Sequence, residues 1–219
     1  MVKMKVIDLT YHLRPGQEQR LLKITPENTL ERNGSNSFTV ELNNHIGTHI
    51  ECPSHNLRDG KRIDELPAET YIGEAVVLNL THRILDREIT AGDLEDTGVE
   101  VKGGDIVLLM TRYDECFPPE EMQSALYQAE SPYLSFDATE WLINHEVKLV
   151  GIDFWSIEKY PIGPEGEPKH VLLFKRDIPL LHSLTNLKRI SKPRVLFVAL
   201  PLPIEGLDSM PVRAVALEF

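Results

Sequence analysis

Residues 43–55, NNHIGTHIECPSH, place His45, His49, Glu51 and His55 within eleven positions. In an extended chain successive side chains alternate. The odd-numbered His45, Gly47, His49, Glu51, Pro53 and His55 therefore share one face, and Ile46, Thr48 and Ile50 share the other. The pattern predicts a half-buried strand whose polar face carries only ligand-type groups and small or stiff residues, with Gly47 leaving room for an ion between two imidazoles. A helix would also join His45 and His49 at i and i+4, but Gly and Thr are weak helix formers and Pro53 would end it, so the strand is preferred. Two imidazoles and a carboxylate converging on one point can hold a divalent metal and leave positions open for water, as catalytic sites do. Cys52 has the opposite parity and reads as a small buried residue. The competing reading is a polar loop rich in histidine; an acid in register with three histidines favours the metal.

The elements that must position this stretch follow from periodicity. KVIDLT (5–10) alternates as a half-buried strand, and SFTVELNN (37–44) is again strand-like. Residues 14–36 between them are polar and read as a long excursion. EAVVLNL (74–80) and DIVLLMT (105–111) are apolar runs short enough for buried strands. TAGDLED (90–96) predicts a short helix capped by Thr90. PPEEMQSALYQAE predicts a helix with Pro near its start. FDATEWLINHEVKLVGID predicts a helix with Asp137 and Glu140 as a capping box and Trp141, Leu142 and Val147 as its apolar face. KLVGID (148–153) then reads as a strand, residues 161–168 as a Gly/Pro-rich loop, and PRVLFVALPL and VRAVALEF as closing strands. Strands outnumber helices and are interleaved with them, which points to an α/β or α+β domain with a mixed sheet.

Composition narrows the function classes. A chain of 219 residues with 42% apolar content is expected to form one domain, 1–219, with a full core. Lys and Arg total 23 against 34 Asp and Glu, a formal net charge of -11, which disfavours nucleic-acid binding. The densest basic segment, KRISKPR (188–194), lacks aromatic interleaving and reads as a solvated turn. No apolar stretch approaches the ~20 residues of a membrane span. The amino-terminal MVKMKVIDLT is strand-like, not signal-like, and Cys52 and Cys116 lie far apart, so the expectation is a cytoplasmic protein with free thiols.

The 45–55 stretch resembles the H-x-G-T-H-x-D-x-P-x-H signature of the cyclase-like metal-dependent hydrolases, the group that includes bacterial kynurenine formamidase and isatin hydrolase. His45, Gly47, Thr48, His49, Pro53 and His55 match, and Glu51 stands where the signature has aspartate. VIDLT (6–10) is similar to the family's opening strand, GIDFWS (151–156) to its G-I-D-x-x-S segment, and PLPIEGLDSMPVRAVAL (201–217) to its closing segment. His170, followed by Val-Leu-Leu, resembles a later histidine that joins the metal site.

The resemblance implies a swivelling β/β/α-type fold, a homodimer or higher homo-oligomer, and hydrolysis of an amide or related carbon–nitrogen bond of a small molecule with one or two divalent ions, zinc or manganese being typical. It implies that His45, His49 and Glu51 hold the principal ion, that His170 completes it or holds a second, and that His55 transfers protons without ligating. His182 stands where two-metal members carry a glutamate. An imidazole there removes a negative charge that would offset repulsion between two cations, and the longer Glu51 shifts its carboxylate by more than ~1 Å, so a single ion per chain is favoured. Activation of water by the ion, with its pKa lowered from about 15.7 towards ~7, and proton return by His55 would complete the reaction. Arg112 or Lys159 could orient a substrate carboxylate, and Trp155 and Phe154 could wall an aromatic substrate; surface charge and core packing are the competing readings. His12, His82 and His145 read as surface or structural. Two alternatives stay open: a mononuclear iron oxygenase with a two-histidine, one-carboxylate triad, and a family member that binds metal or a metabolite without turnover.

Overall fold

The computed structural model describes residues 4–16, 19–83, 88–117, 121 and 124–219. Its strands are β1 (Lys5–Asp8), β2 (Leu22–Asn28), β3 (Ser37–Leu42), β4 (His49–Glu51), β5 (Ile72–Asn79), β6 (Glu88–Ile89), β7 (Ile106–Met110), β8 (Tyr133–Leu134), β9 (Leu149–Ile152), β10 (Leu180–His182), β11 (Arg194–Val198), β12 (Ser209–Pro211) and β13 (Val215–Glu218). The helices are α1 (Leu30–Asn33), α2 (Ala91–Glu95), α3 (Ala125–Ala129), α4 (Phe136–Asn144) and α5 (Pro168–Phe174).

Nine strands form one mixed sheet in the order β1-β13-β11-β5-β7-β9-β10-β4-β12. The central run β5-β7-β9-β10 is parallel, and the strands outside it pair antiparallel. Parallel strands are buried on both faces and so read as continuous apolar runs. Here Val76, Leu78, Val107 and Leu109 point into one core, with Leu142 of α4 and Leu173 and Phe174 of α5. Their neighbours Ala75, Val77, Ile106 and Leu108 point into a second core. That second core also takes Ile7 and Ala216 from one end of the sheet and Ile50 and Met210 from the other. Strands from both ends share one cluster, so the sheet curls over its own face. The result is the expected β/β/α layering.

Several local expectations change. The helix at 91–95 has the Thr90 cap as read, with Asp93 closing a capping box. In α4 the cap is Ser135, whose hydroxyl accepts from the Ala138 N–H at 3.1 Å, in place of an Asp137/Glu140 box. Asp137 is diverted to the N–H of Ala91. Residues 22–28, read as part of an excursion, form β2 and pair with β3 in a separate hairpin. Its exposure on both faces removes the alternation that betrays a strand, and Pro26 argues against one. Helix α3 covers only Ala125–Ala129, capped by Ser124; residues 118–120 and 122–123 of the longer expected helix lie outside the described residues.

Candidate metal centre

Only His49–Glu51 of the histidine-rich stretch is a strand, so parity alone does not assemble the group. His49 and Glu51 share a face by the two-residue repeat, and Ile50 between them is fully buried in the core. His45 arrives by a turn: its N–H donates to Asn43 Oδ1 (3.0 Å), and Gly47 has φ +60. Gly47 does not leave a gap for an ion. A Cβ there would lie 2.7 Å from Leu13 Cδ2, so the glycine serves the turn and the packing beneath it. His55 arrives by a 3₁₀ turn over Pro53–His55.

Tertiary pairing brings the distant histidines. In the antiparallel β4–β10 pair His182 lies directly opposite His49, with the rings stacked at 5.1 Å between centroids. His170 projects from α5, fully buried, and its ring stacks on His182 at 5.8 Å. Glu51 is the focus. Its Oε1 lies 2.7 Å from His45 Nδ1 and 3.4 Å from His49 Nε2, and its Oε2 lies 3.2 Å from His182 Nε2 and 3.6 Å from His170 Nε2. Thus His45, His49, Glu51, His170 and His182 converge, with His55 beside them: the His45 and His55 rings are 4.7 Å apart.

The donor chemistry fits a cation. His49 Nδ1 donates to the carbonyl of Gly47 (2.7 Å) and His182 Nδ1 to that of Trp155 (3.1 Å). A carbonyl can only accept, so in the neutral rings the Nε2 lone pairs face Glu51. Glu51 Oε2 and His182 Nε2 are buried and, although 3.2 Å apart, make no hydrogen bond with each other or with any other described group. Two buried polar atoms without a partner are costly, whereas lone pairs aimed at a common point are what a metal ligand set requires.

Three residues not singled out from the sequence complete the site. Asp208, in the loop before β12, accepts from His45 Nε2 (3.0 Å) and His55 Nδ1 (2.6 Å) through Oδ2. Glu167 faces His55 Nε2 at 3.4 Å and accepts from Asn56 Nδ2 at 2.9 Å. Glu158 touches His170. The signal for Asp208 lay within the closing segment similar to the family's; the two glutamates carried none.

These contacts set the charges. Burial works against a charged His55, yet hydrogen bonds to Asp208 and Glu167 raise it to about 10. His45 is raised despite burial by Asp208 and Glu51. Burial brings His49 down to about 4. Glu51 stays well below the usual carboxylate range because His182, His45 and His49 outweigh its burial, and hydrogen bonding from His55 lowers Glu167 to about 2. Cys52 is fully buried in the second core with its Sγ 3.7 Å from Tyr71 Oη, and burial pushes its thiol up to about 12.

The group opens into a cavity of about 220 Å³ whose lining includes Arg20, Gln128, Trp155 and Ser183. Trp155 therefore walls the site, while Phe154 is fully buried in the core. Arg112 is paired with Glu115 (2.7 Å) and Lys159 lies over the Tyr133 ring (5.0 Å); neither lines the cavity, whereas Arg20 does. His82 pairs with Asp93 and His145 bonds the Trp141 carbonyl, both away from the site, and His12 is exposed.

Known proteins are similar to this chain in sequence or in fold. A kynurenine formamidase of Bacillus cereus is 29% identical over 188 residues, 84% of this chain and 82% of that protein. Cyclase-like protein 3 of Oryza sativa subsp. japonica is 30% identical over 199 residues, 85% of this chain and 68% of that one. Among solved structures, isatin hydrolase A from Labrenzia aggregata superposes with a TM-score of 0.84 at 21% identity, covering 98% of this chain and 93% of its own, a likeness of fold. A protein described as a predicted metal-dependent hydrolase from Bacillus stearothermophilus gives a TM-score of 0.79 at 26% identity, with both chains covered in full, 100% of each. The Cyclase family model matches residues 7–159, more than half of the sequence, and the chain belongs to that family.

Proposed function

We propose that the chain, acting as one domain, is a metal-dependent hydrolase that cleaves a non-peptide carbon–nitrogen bond, an amide or cyclic amide, in a small aromatic metabolite. The observation that carries this reading is Glu51 at the focus of four imidazole nitrogens within 3.6 Å, with two of the buried ligand atoms, Glu51 Oε2 and His182 Nε2, lacking a hydrogen-bond partner among the described residues. His45, His49 and Glu51 would hold the ion, with His170 and His182 at the second oxygen of Glu51. So nitrogen-rich a set favours zinc over manganese, and one shared carboxylate favours one ion per chain over two. A bound divalent ion supplies a Lewis acid that polarises the scissile carbonyl and makes hydroxide available near neutral pH.

The chain's own groups do the rest. Asp208 anchors His55 through Nδ1, and Nε2 faces Glu167, which lines the cavity, across a longer contact. His55, held charged by Asp208 and Glu167, can therefore give a proton to the departing nitrogen as the carbon–nitrogen bond breaks and a carbon–oxygen bond forms, and is recharged by the proton that the attacking water releases. The small cavity suits a one-ring substrate laid on Trp155. The exposed apolar hairpin, with Ile24 47%, Phe38 53% and Val40 52% exposed, supports a homodimer or higher homo-oligomer. Among the described residues no helix is long and apolar enough to cross a membrane, and both cysteines are free, which suits a reducing cytoplasm.

Elemental analysis of untagged protein tests the reading, beside His45→Ala and a screen of aryl formamides and cyclic amides. About one zinc per chain, lost in the variant together with hydrolysis, is the expected result. Two ions per chain would overturn the single-ion assignment, and no metal after reconstitution would overturn the hydrolase.

A further inference from the structure

Three imidazoles present Nε2 towards Glu51, and each has its Nδ1 held from behind. For His49 and His182 the holder is a neutral backbone carbonyl. For His170 it is Glu158, whose Oε1 lies 3.2 Å from Nδ1. The same oxygen accepts the backbone N–H of Lys169 (2.7 Å) and of His170 itself (3.2 Å). The His170 ring and its own main chain are thereby tied to one atom, which restricts rotation of the ring. The other oxygen, Oε2, lies 3.0 Å from Lys169 Nζ. This ion pair is unusual in its burial: Glu158 is 4% exposed and Lys169 is 6% exposed. Lysine is rarely so buried unless paired. Its ammonium also sits over the rings of Tyr133 (5.7 Å) and Phe136 (5.6 Å). Capping the seven-residue α5 does not require so buried a lysine, because a glutamate at a helix start is commonly solvated.

We infer that Glu158, with Lys169 as its counter-charge, is a positioning residue that fixes the tautomer and orientation of His170 and strengthens it as a ligand. The inference rests on the metal reading above. An ionised carboxylate has no proton to donate, so Nδ1 carries the hydrogen, and in the neutral ring Nε2 keeps its lone pair towards Glu51. A carboxylate behind an imidazole also raises its basicity as a ligand, which the carbonyls behind His49 and His182 do less. Lys169 supplies the opposite charge that a buried carboxylate requires.

The test measures zinc affinity of the full-length protein by competition with a chromophoric chelator. Ring-nitrogen NMR of the metal-free protein is recorded alongside, to report the His170 tautomer. Glu158→Ala should weaken zinc binding by ~10–100-fold, the range found for partners behind metal-bound histidines, and should abolish the single His170 tautomer. Glu158→Gln keeps an oxygen acceptor but not the charge; it should retain the tautomer and weaken zinc by roughly the lower end of that range, ~10-fold. Unchanged affinity and tautomer in Glu158→Ala, with only a lower melting temperature, would reduce Glu158 to a helix cap and overturn the inference. Should Glu158→Ala not fold, zinc affinity in Glu158→Gln equal to wild type overturns it alone. A wild-type protein that binds no zinc, or a His170→Ala variant that binds it undiminished, would instead sink the metal reading at this ligand.

Discussion

Strand β4 and the β2–β3 hairpin are built from similar local geometry and end as opposites. β4 is three residues long, lies between β10 and β12 inside the large sheet, and every one of its residues is buried. The hairpin has strands of seven and six residues, pairs only with itself in the main-chain ladder, and has no fully buried residue. Where β4 carries His49 and Glu51, solvent is excluded and lone pairs must find partners or a cation. Where the hairpin carries Lys23 and Glu41, 3.0 Å apart and both more than half exposed, the pair contributes little. The lesson is that burial, more than residue type, makes a polar group chemical. A lone two-stranded hairpin is marginal in water, so its apolar side chains need cover, whereas β4 already has it.

This contrast can be sharpened by measurement. Replacing His55 by Ala should lower turnover by ~10²–10⁴-fold, the usual worth of a positioned proton-transfer group, while metal content is retained. Loss of the metal as well would make His55 a ligand and redraw the site's edge. Truncations compare the two regions directly. Ile50→Ala in β4 should cost about 2–5 kcal/mol in denaturant unfolding, and Phe38→Ser in the hairpin less than about 0.5 kcal/mol. Phe38→Ser should instead reduce the mass seen by light scattering; a large stability loss without such a change would show that the hairpin packs on its own chain.

A further effect is expected of pH on the metal-free protein. His55 is raised to about 10 in the folded state, above its unfolded value of about 6.5. Its contribution is therefore fully present below pH 6.5 and is lost as pH rises through 10. The melting-temperature lead of wild type over His55→Gln should shrink across that window, by roughly 2–4 °C for each kcal/mol lost. A lead that stays constant from pH 6 to 10 would mean that Asp208 and Glu167 do not hold His55 charged.

How much of this was legible in the sequence depends on distance along the chain. The strands of the parallel core read cleanly because they are buried on both faces, as in EAVVLNL and DIVLLMT. β10 spans only Leu180–His182, too short for any period to show. His49 and Glu51 are two apart in a real strand, so alternation placed them together correctly. It also placed His45 and His55 there, but by a strand that is absent: an Asn43-anchored turn and a 3₁₀ turn perform that task. His170 and His182 were accessible only through resemblance. Asp208, Glu167 and Glu158 gain their roles from contacts to residues 163, 111 and 12 positions away, which no local pattern encodes.

The pairing of β4 with β10 bears on how the molecule folds. Thr48 Oγ1 donates to the Ser183 carbonyl at 2.7 Å across a sequence separation of 135 residues, and the candidate ligand set draws on three separate stretches of chain, 45–51, α5 and β10. Contacts of such long range are slow to form, because the intervening chain must be ordered first. The metal centre can then exist only after the sheet has closed at this edge. An ion held across β4, β10 and α5 would act as a reversible cross-link that favours the native state by mass action, so metal uptake during refolding would report the docking of β4 on β10.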